Sequence, residues 1–157
     1  MSAVLKPTLL IKQEPYCDAL IAEAKPLLVE HWREVALYKD AIPLDPDFDL
    51  YRGMAAKNRL FCLTARVGGE LVGYCAFVLM HPGHYKSTLH GINDVIYVAP
   101  AHRKGSVGYR LIRESERGLK ARGVRKISWH VKPGTKLAQL LDRLGYATDE
   151  ILKGRLL

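Results

Sequence analysis

Cysteine is scarce in this chain: three residues in 157, Cys17, Cys62 and Cys75. An odd, sparse set excludes a disulfide framework, and two of the three lie in apolar strand-like runs where buried, reduced thiols are expected. A reducing, cytoplasmic compartment fits that usage. Long hydrophobic runs are also missing. None approaches the roughly 20 residues of a membrane span, and no basic start leads into an apolar leader, so neither a membrane nor export is expected. Acidic residues are in short supply, 16 against 24 Lys and Arg, for a net charge of +8. That balance favours an anionic ligand, a nucleic acid or an acidic surface without choosing among them. Internal repeats, low-complexity stretches and obvious linkers are absent too. Residues 1–157 therefore read as one domain, and 48% hydrophobic residues can fill its core.

What is present alternates between two periodicities. TLLIK at 8–12 reads as a strand, and Leu20, Ala24, Leu27, Leu28, His31 and Val35 follow at helical spacing, with Pro26 expected to kink or split the helix. Asp47 can cap a second helix over 48–57. RLFCLTARVGGELVGYCAFVLM holds two β-rich runs around Gly68-Gly69, a hairpin signal. INDVIYV at 92–98 reads as a strand, and 106–122 as a helix with Val107, Leu111, Ser115 and Leu119 on one face. VRKISWHV at 124–131 is another strand, KPGTKLAQLLDRLGY a loop and short helix, and ATDEILKGRLL a closing strand. The expected order is β-α-α-β-β-β-α-β-α-β, an α/β (α+β) mixed sheet with helices on its faces.

The segment between the fourth strand and its helix, APAHRKGSVGYRLI at 99–112, carries the most chemistry. Gly105 and Gly108 permit a tight turn and close approach to the main chain. The first N–H groups of the following helix have no internal acceptor, so with Arg103 and Lys104 they form a nest for phosphate. An ordinary strand-to-helix turn with solvated basic residues accounts for the same six positions equally well. Neither a phosphate-binding Walker loop nor the full three-glycine dinucleotide pattern is present.

The surroundings are more specific. DVIYVAPAHRKGSVGYRLI, GLKARGVRKISWHV and LLDRLGY together resemble the GNAT (Gcn5-related N-acetyltransferase) superfamily. The resemblance rests on the Val-x-Pro-x-x-Arg corner, on Arg103 and Gly108 in the family's Arg/Gln-x-x-Gly-x-Gly/Ala loop, and on the late Leu-Gly-Tyr. It covers residues 60–157 well, and the N-terminal elements fit the family order; HWREVALYKDAIPLDPD also resembles small members from tailed phages and prophages. It implies a sheet splayed between strands four and five, and acetyl-CoA as co-substrate. Coenzyme A would be held by main-chain groups of Ile96, Tyr97 and Val98 and by the loop of Arg103, Lys104, Gly105, Ser106, Val107 and Gly108. Ser106 stands where the family usually has glycine, yet still offers its N–H. The resemblance also implies an acid on strand four that removes the amine proton; Asp94 occupies that position, although it could equally cap the strand or pair with an arginine. The tyrosine that many members place beside the coenzyme sulfur is replaced by Leu141, which leaves Tyr146, Tyr97 or His130 as substitutes, or a thiolate that departs unaided.

On the acceptor side, Glu34, Tyr38, His84 and Tyr85 lie in segments expected to cover the cleft, where acids attract a cationic amine. A satisfied, half-buried histidine is the simpler reading of His31. His81, His84 and His90 lack a helical register, a cysteine and a nearby carboxylate, so no metal is expected. The basic residues Arg110, Arg113, Arg117, Lys120 and Arg122 are interrupted by Glu114 and Glu116, and no nucleic-acid-binding signature accompanies them. The expected partner is an amine-bearing small molecule or protein; the family resemblance also allows a homodimer. Leu141 keeps a second reading open: a GNAT fold that binds acetyl-CoA with little catalysis, as a sensor or interaction module.

Overall fold

The structure is a computed structural model that describes residues 7–157. Its elements are β1 (Leu9–Gln13), α1 (Asp18–Val35), α2 (Phe48–Ala56), β2 (Leu60–Val67), β3 (Glu70–Met80), β4 (His90–Val98), a 3-10 turn (Pro100–His102), α3 (Val107–Ala121), β5 (Lys126–Ser128) and α4 (Lys136–Arg143). The five strands pair in the order β1-β2-β3-β4-β5, antiparallel throughout except for the parallel β4–β5 contact.

The β2–β3 hairpin follows from its two glycines. Gly68 and Gly69 take φ values of 59° and 90°, the left-handed pair that a two-residue turn needs to match strand twist. Val67 and Glu70 then face each other, so the apolar residues of both strands share faces. One face carries Phe61, Leu63, Cys75 and Phe77, and against it α3 lays Val107, Leu111 and Leu119. On the other face Tyr74 accepts or donates a hydrogen bond at His31 Nδ1, 3.1 Å away on α1. Helices thus cover both faces of the sheet. Gly118 lets α3 come close: a Cβ there would stand 2.4 Å from Phe61 Cζ.

Pro26 does not split α1, which is a single eighteen-residue helix. Proline removes one hydrogen bond, while Ile21 before it is buried and His31 after it is tied to Tyr74, so packing holds both halves. The fifth strand is only Lys126–Ser128 rather than 124–131, because its pairing with β4 ends at Ile92 and Ser128. Residues 147–157 form no strand: without a neighbouring edge to pair with, Ile151 and Leu152 stay 78% and 96% exposed. Among the described residues, no helix is long and apolar enough to cross a membrane.

Candidate active site

β4 continues to Val98, six residues past the point where β5 leaves it. The chain after Ser128 diverges, and the β4 edge that faces it carries no further ladder among the described residues. Along this stretch β4 also bulges. Asn93 pairs with Phe77 and Val95 with Ala76, so Asp94 is the extra residue. Buried Asn93 stabilises the distortion by donating from Nδ2 to Ala76 O at 3.2 Å and Val95 O at 3.0 Å. Beyond the bulge, Ile96 and Val98 pack on the α3 core and Tyr97 points its ring to the α1 face, stacked on His31 with centroids 4.8 Å apart.

The 3-10 turn delivers Arg103. Its Nε donates to Val98 O at 2.7 Å, its guanidinium lies 5.2 Å from the Tyr97 ring centre, and its two terminal nitrogens donate to both oxygens of Glu34 on α1 at 2.7 and 2.6 Å. The Arg103 hydrogen bonds hold the Glu34 carboxyl below its ordinary range. Both side chains are therefore consumed in a clamp between α1 and the loop. After the clamp come Lys104, Gly105 and Ser106, all exposed, while Val107 is buried and anchors the start of α3. The first helical bond runs from Arg110 N–H to Ser106 O, so the N–H groups of Val107, Gly108 and Tyr109 have no helical acceptor. Ser106 makes no side-chain cap. A Cβ on Gly105 or Gly108 would meet nothing within 4 Å, so neither glycine is required by packing.

Asp94 is exposed, and its Oδ2 accepts a 2.6 Å hydrogen bond from the Tyr51 hydroxyl of α2. Tyr16, just before α1, sets its ring 5.9 Å from that of Tyr51. Burial first, and then the bond to Asp94, raises the Tyr51 phenol well above its ordinary range; burial likewise pushes Tyr16 and the half-buried Cys62 thiol up to about 12. All three groups stay protonated at neutral pH.

The other sequence candidates have partners of their own or are exposed. Tyr146 donates to Glu116 Oε1 on α3 at 2.7 Å and meets Trp129 edge-on; burial, then that bond, pushes its phenol up to about 12. Trp129 buries its indole nitrogen without an acceptor. His130 is exposed and sits beyond β5 rather than within a strand. Leu141 is buried in α4, which ends in a left-handed Gly145 with Tyr146 N–H on Leu141 O. Tyr38 is exposed at φ 57°, His84 is exposed, and Tyr85 stacks on His90 at 6.1 Å. Among the described residues no three His, Cys, Asp or Glu side chains gather as a metal site. Sequence reasoning missed Tyr16, Tyr51 and Asn93. Helical spacing around the Asp47 cap places Tyr51 on a helix, but nothing local signals a carboxylate 43 residues away.

The family model of the acetyltransferase (GNAT) family matches residues 25–146. The chain belongs to the GNAT family. Solved structures agree with this GNAT fold. A ribosomal-protein-alanine N-acetyltransferase from Brucella melitensis biovar Abortus 2308 superposes with a TM-score of 0.70 at 22% identity, over 96% of this chain and 99% of that one. An aminoglycoside acetyltransferase from an uncultured soil metagenomic sample, in complex with sisomicin, gives 0.72 at 12% identity over 95% of each chain. A predicted acetyltransferase from Clostridium acetobutylicum, with acetyl-CoA, gives 0.68 at 17% identity, covering 94% of this GNAT chain and 96% of its own. A search of curated proteins finds no sequence match.

Proposed function

We propose that residues 1–157 act as one acetyltransferase domain that moves an acetyl group from acetyl-CoA to a primary amine by direct attack. The observation that carries this reading is the open β4 edge running into a loop whose N–H groups lack acceptors. The residues present fit coenzyme A. Gly105 and Gly108 leave room at the main chain, and the free N–H groups of Val107, Gly108 and Tyr109 suit a pyrophosphate at a helix N-terminus. Arg103 is assigned to shaping the loop through Glu34 and Val98 O, rather than to contact with phosphate. Lys104, exposed beside it, supplies positive charge. The β4 groups of Ile96, Tyr97 and Val98 are assigned to the thioester arm.

In the reaction, the neutral amine nitrogen attacks the thioester carbonyl, a C–N bond forms and the C–S bond breaks. Main-chain donors at the bulged strand stabilise the developing oxyanion. Asp94 takes the proton lost by the amine, directly or through water, and the thiolate leaves and is protonated by solvent. An unaided thiolate is a reasonable leaving group because a thiol titrates near 8.5. This reading needs no tyrosine at Leu141, and the commitment of the Tyr146 hydroxyl to Glu116 supports it. Two measurements test the proposal: thermal stabilisation of the protein by acetyl-CoA, and CoA release over a panel of amines and peptides. No stabilisation overturns the donor assignment. Stabilisation without CoA release over the whole panel favours a binding protein.

A further inference from the structure

Acidic residues are missing from three long segments of the chain, 57–69, 71–93 and 117–141. The fold brings parts of all three together where α2, β3 and α3 end and β4 begins. There an open cavity of about 300 Å³ is lined by Asn58, Arg59, Leu79, His81, Leu89 and Arg122. It lies away from the loop proposed for coenzyme A: Leu89 precedes β4 and that loop follows it, with roughly 25 Å of strand between. Buried Leu79 and half-buried Leu89 give the cavity an apolar surface, while Asn58, Arg59 and His81 are exposed at its rim. Both arginines are held by their surroundings. Asn58 takes φ 58° as α2 closes, the Arg59 N–H donates to Met54 O at 2.8 Å, and Arg59 O accepts the Leu79 N–H at 2.8 Å, so the Arg59 backbone is fixed at both its groups. Arg122 caps α3; its guanidinium lies 5.1 Å from the Phe61 ring centre, and Nη1 donates to Leu60 O at 3.4 Å.

What these two arginines lack is a carboxylate. Arg52, Arg66, Arg103, Arg113 and Arg117 each pair with at least one, whereas Arg59, His81 and Arg122 have no ion pair among the described residues. The nearest acids along α3, Glu114 and Glu116, are taken by Arg117 and Arg113. α2 and α3 both end here, and a helix C-terminus carries about half a negative charge, so together the two ends offset roughly one of the two guanidinium charges. The cavity therefore keeps a net positive charge. Two unpaired guanidinium groups around one space repel each other, and an anion between them turns that repulsion into attraction. We infer that the cavity is a second ligand site, built for a small phosphate monoester. Arg59 and Arg122 hold the phosphate oxygens, Asn58 and His81 add polar groups at the rim, and the organic part lies against Leu79 and Leu89. A phosphate with roughly two charges and three acceptor oxygens matches two guanidinium forks better than one carboxylate does. A space of about 300 Å³ is at the small end of ligand pockets, which suits a phosphorylated sugar rather than a polymer. The site stands independently of the acetyl-transfer reading.

Calorimetric titrations of the full-length protein with glucose 6-phosphate, glucose, citrate and a single-stranded oligonucleotide test the assignment. Glucose 6-phosphate is expected to bind once per chain with a Kd below about 1 mM, weakening as salt is added, and glucose is expected not to bind. Because the free N–H groups at the start of α3 also suit phosphate, the titration is repeated in Gly108→Glu, where the affinity should be unchanged. Arg59→Gln and Arg122→Gln should each weaken glucose 6-phosphate by about tenfold, and Arg143→Gln, on α4, should leave it as it is. Arg59 is exposed, so Arg59→Gln still decides the matter if removing Arg122 from the Phe61 ring unfolds the chain. Equal affinity in wild type and Arg59→Gln, loss of binding in Gly108→Glu, or tighter binding of citrate or glucose would overturn the site. An oligonucleotide that binds more tightly than glucose 6-phosphate, and loses that affinity in Arg59→Gln, would replace the small ligand with a polynucleotide.

Discussion

The two sides of the proposed site are built in different ways. On the side proposed for the donor, the main-chain N–H groups at the start of α3 have no helical acceptor, and the side-chain charge of Arg103 is already neutralised by Glu34. On the side proposed for the acceptor the arrangement is reversed: Tyr16, Tyr51 and Asp94 come from three separate segments, and the main chain contributes the bulge at Asp94. Main-chain sites present the same atoms whatever the side chains are, which suits an invariant coenzyme. Side-chain sites can be rebuilt residue by residue, which suits acceptors that differ between relatives.

The sharpest way to break this contrast is at Gly108. Its Cβ position is open, so Gly108→Glu should fold, yet a carboxylate beside the pyrophosphate should weaken acetyl-CoA binding by more than about 100-fold. Unchanged affinity in a titration would remove the loop from the donor site. On the acceptor side, Asp94→Asn keeps an acceptor for the Tyr51 hydroxyl and removes only the base. It should lower kcat by about 100-fold with acetyl-CoA affinity retained; full turnover at neutral pH would reject Asp94.

The clamp between the two sides gives a smaller effect. Because each partner acts through the other, Arg103→Ala and Glu34→Ala should each raise the acetyl-CoA KM by about tenfold, and the double variant should do no worse than either. Additive losses would mean that Arg103 meets phosphate directly. Smallest is a pH effect on stability from His31 under the clamp. Burial lowers its pKa from 6.5, so the unfolded chain binds its proton first. Its contribution is complete above pH 6.5 and is lost as pH falls from there through the lower folded value. The melting temperature should therefore drop between pH 7 and 5, with a shallower drop in His31→Gln; identical slopes would show that the histidine is not buried in its neutral form.

Legibility in the sequence follows the same division. The hairpin, β4, α3 and the loop between them were readable because each is set by local periodicity or by glycine and proline at fixed offsets. β5 and the C-terminal tail were misjudged because strand length depends on a partner edge, and β4 offers one only as far as Ile92. Glu34 shows the limit most clearly. The sequence separation of 69 residues from Arg103 hid the ion pair that occupies it.

By itself, the sequence determined the family and the loop between β4 and α3 that the proposal assigns to the donor, since unpaired helix N–H groups arise from a few consecutive residues. Only the tertiary structure decided that Tyr51 meets Asp94 and that Arg103 is spent on Glu34. Those contacts join residues 43 and 69 positions apart, and no local preference encodes a distance that is created only when the sheet and its helices pack.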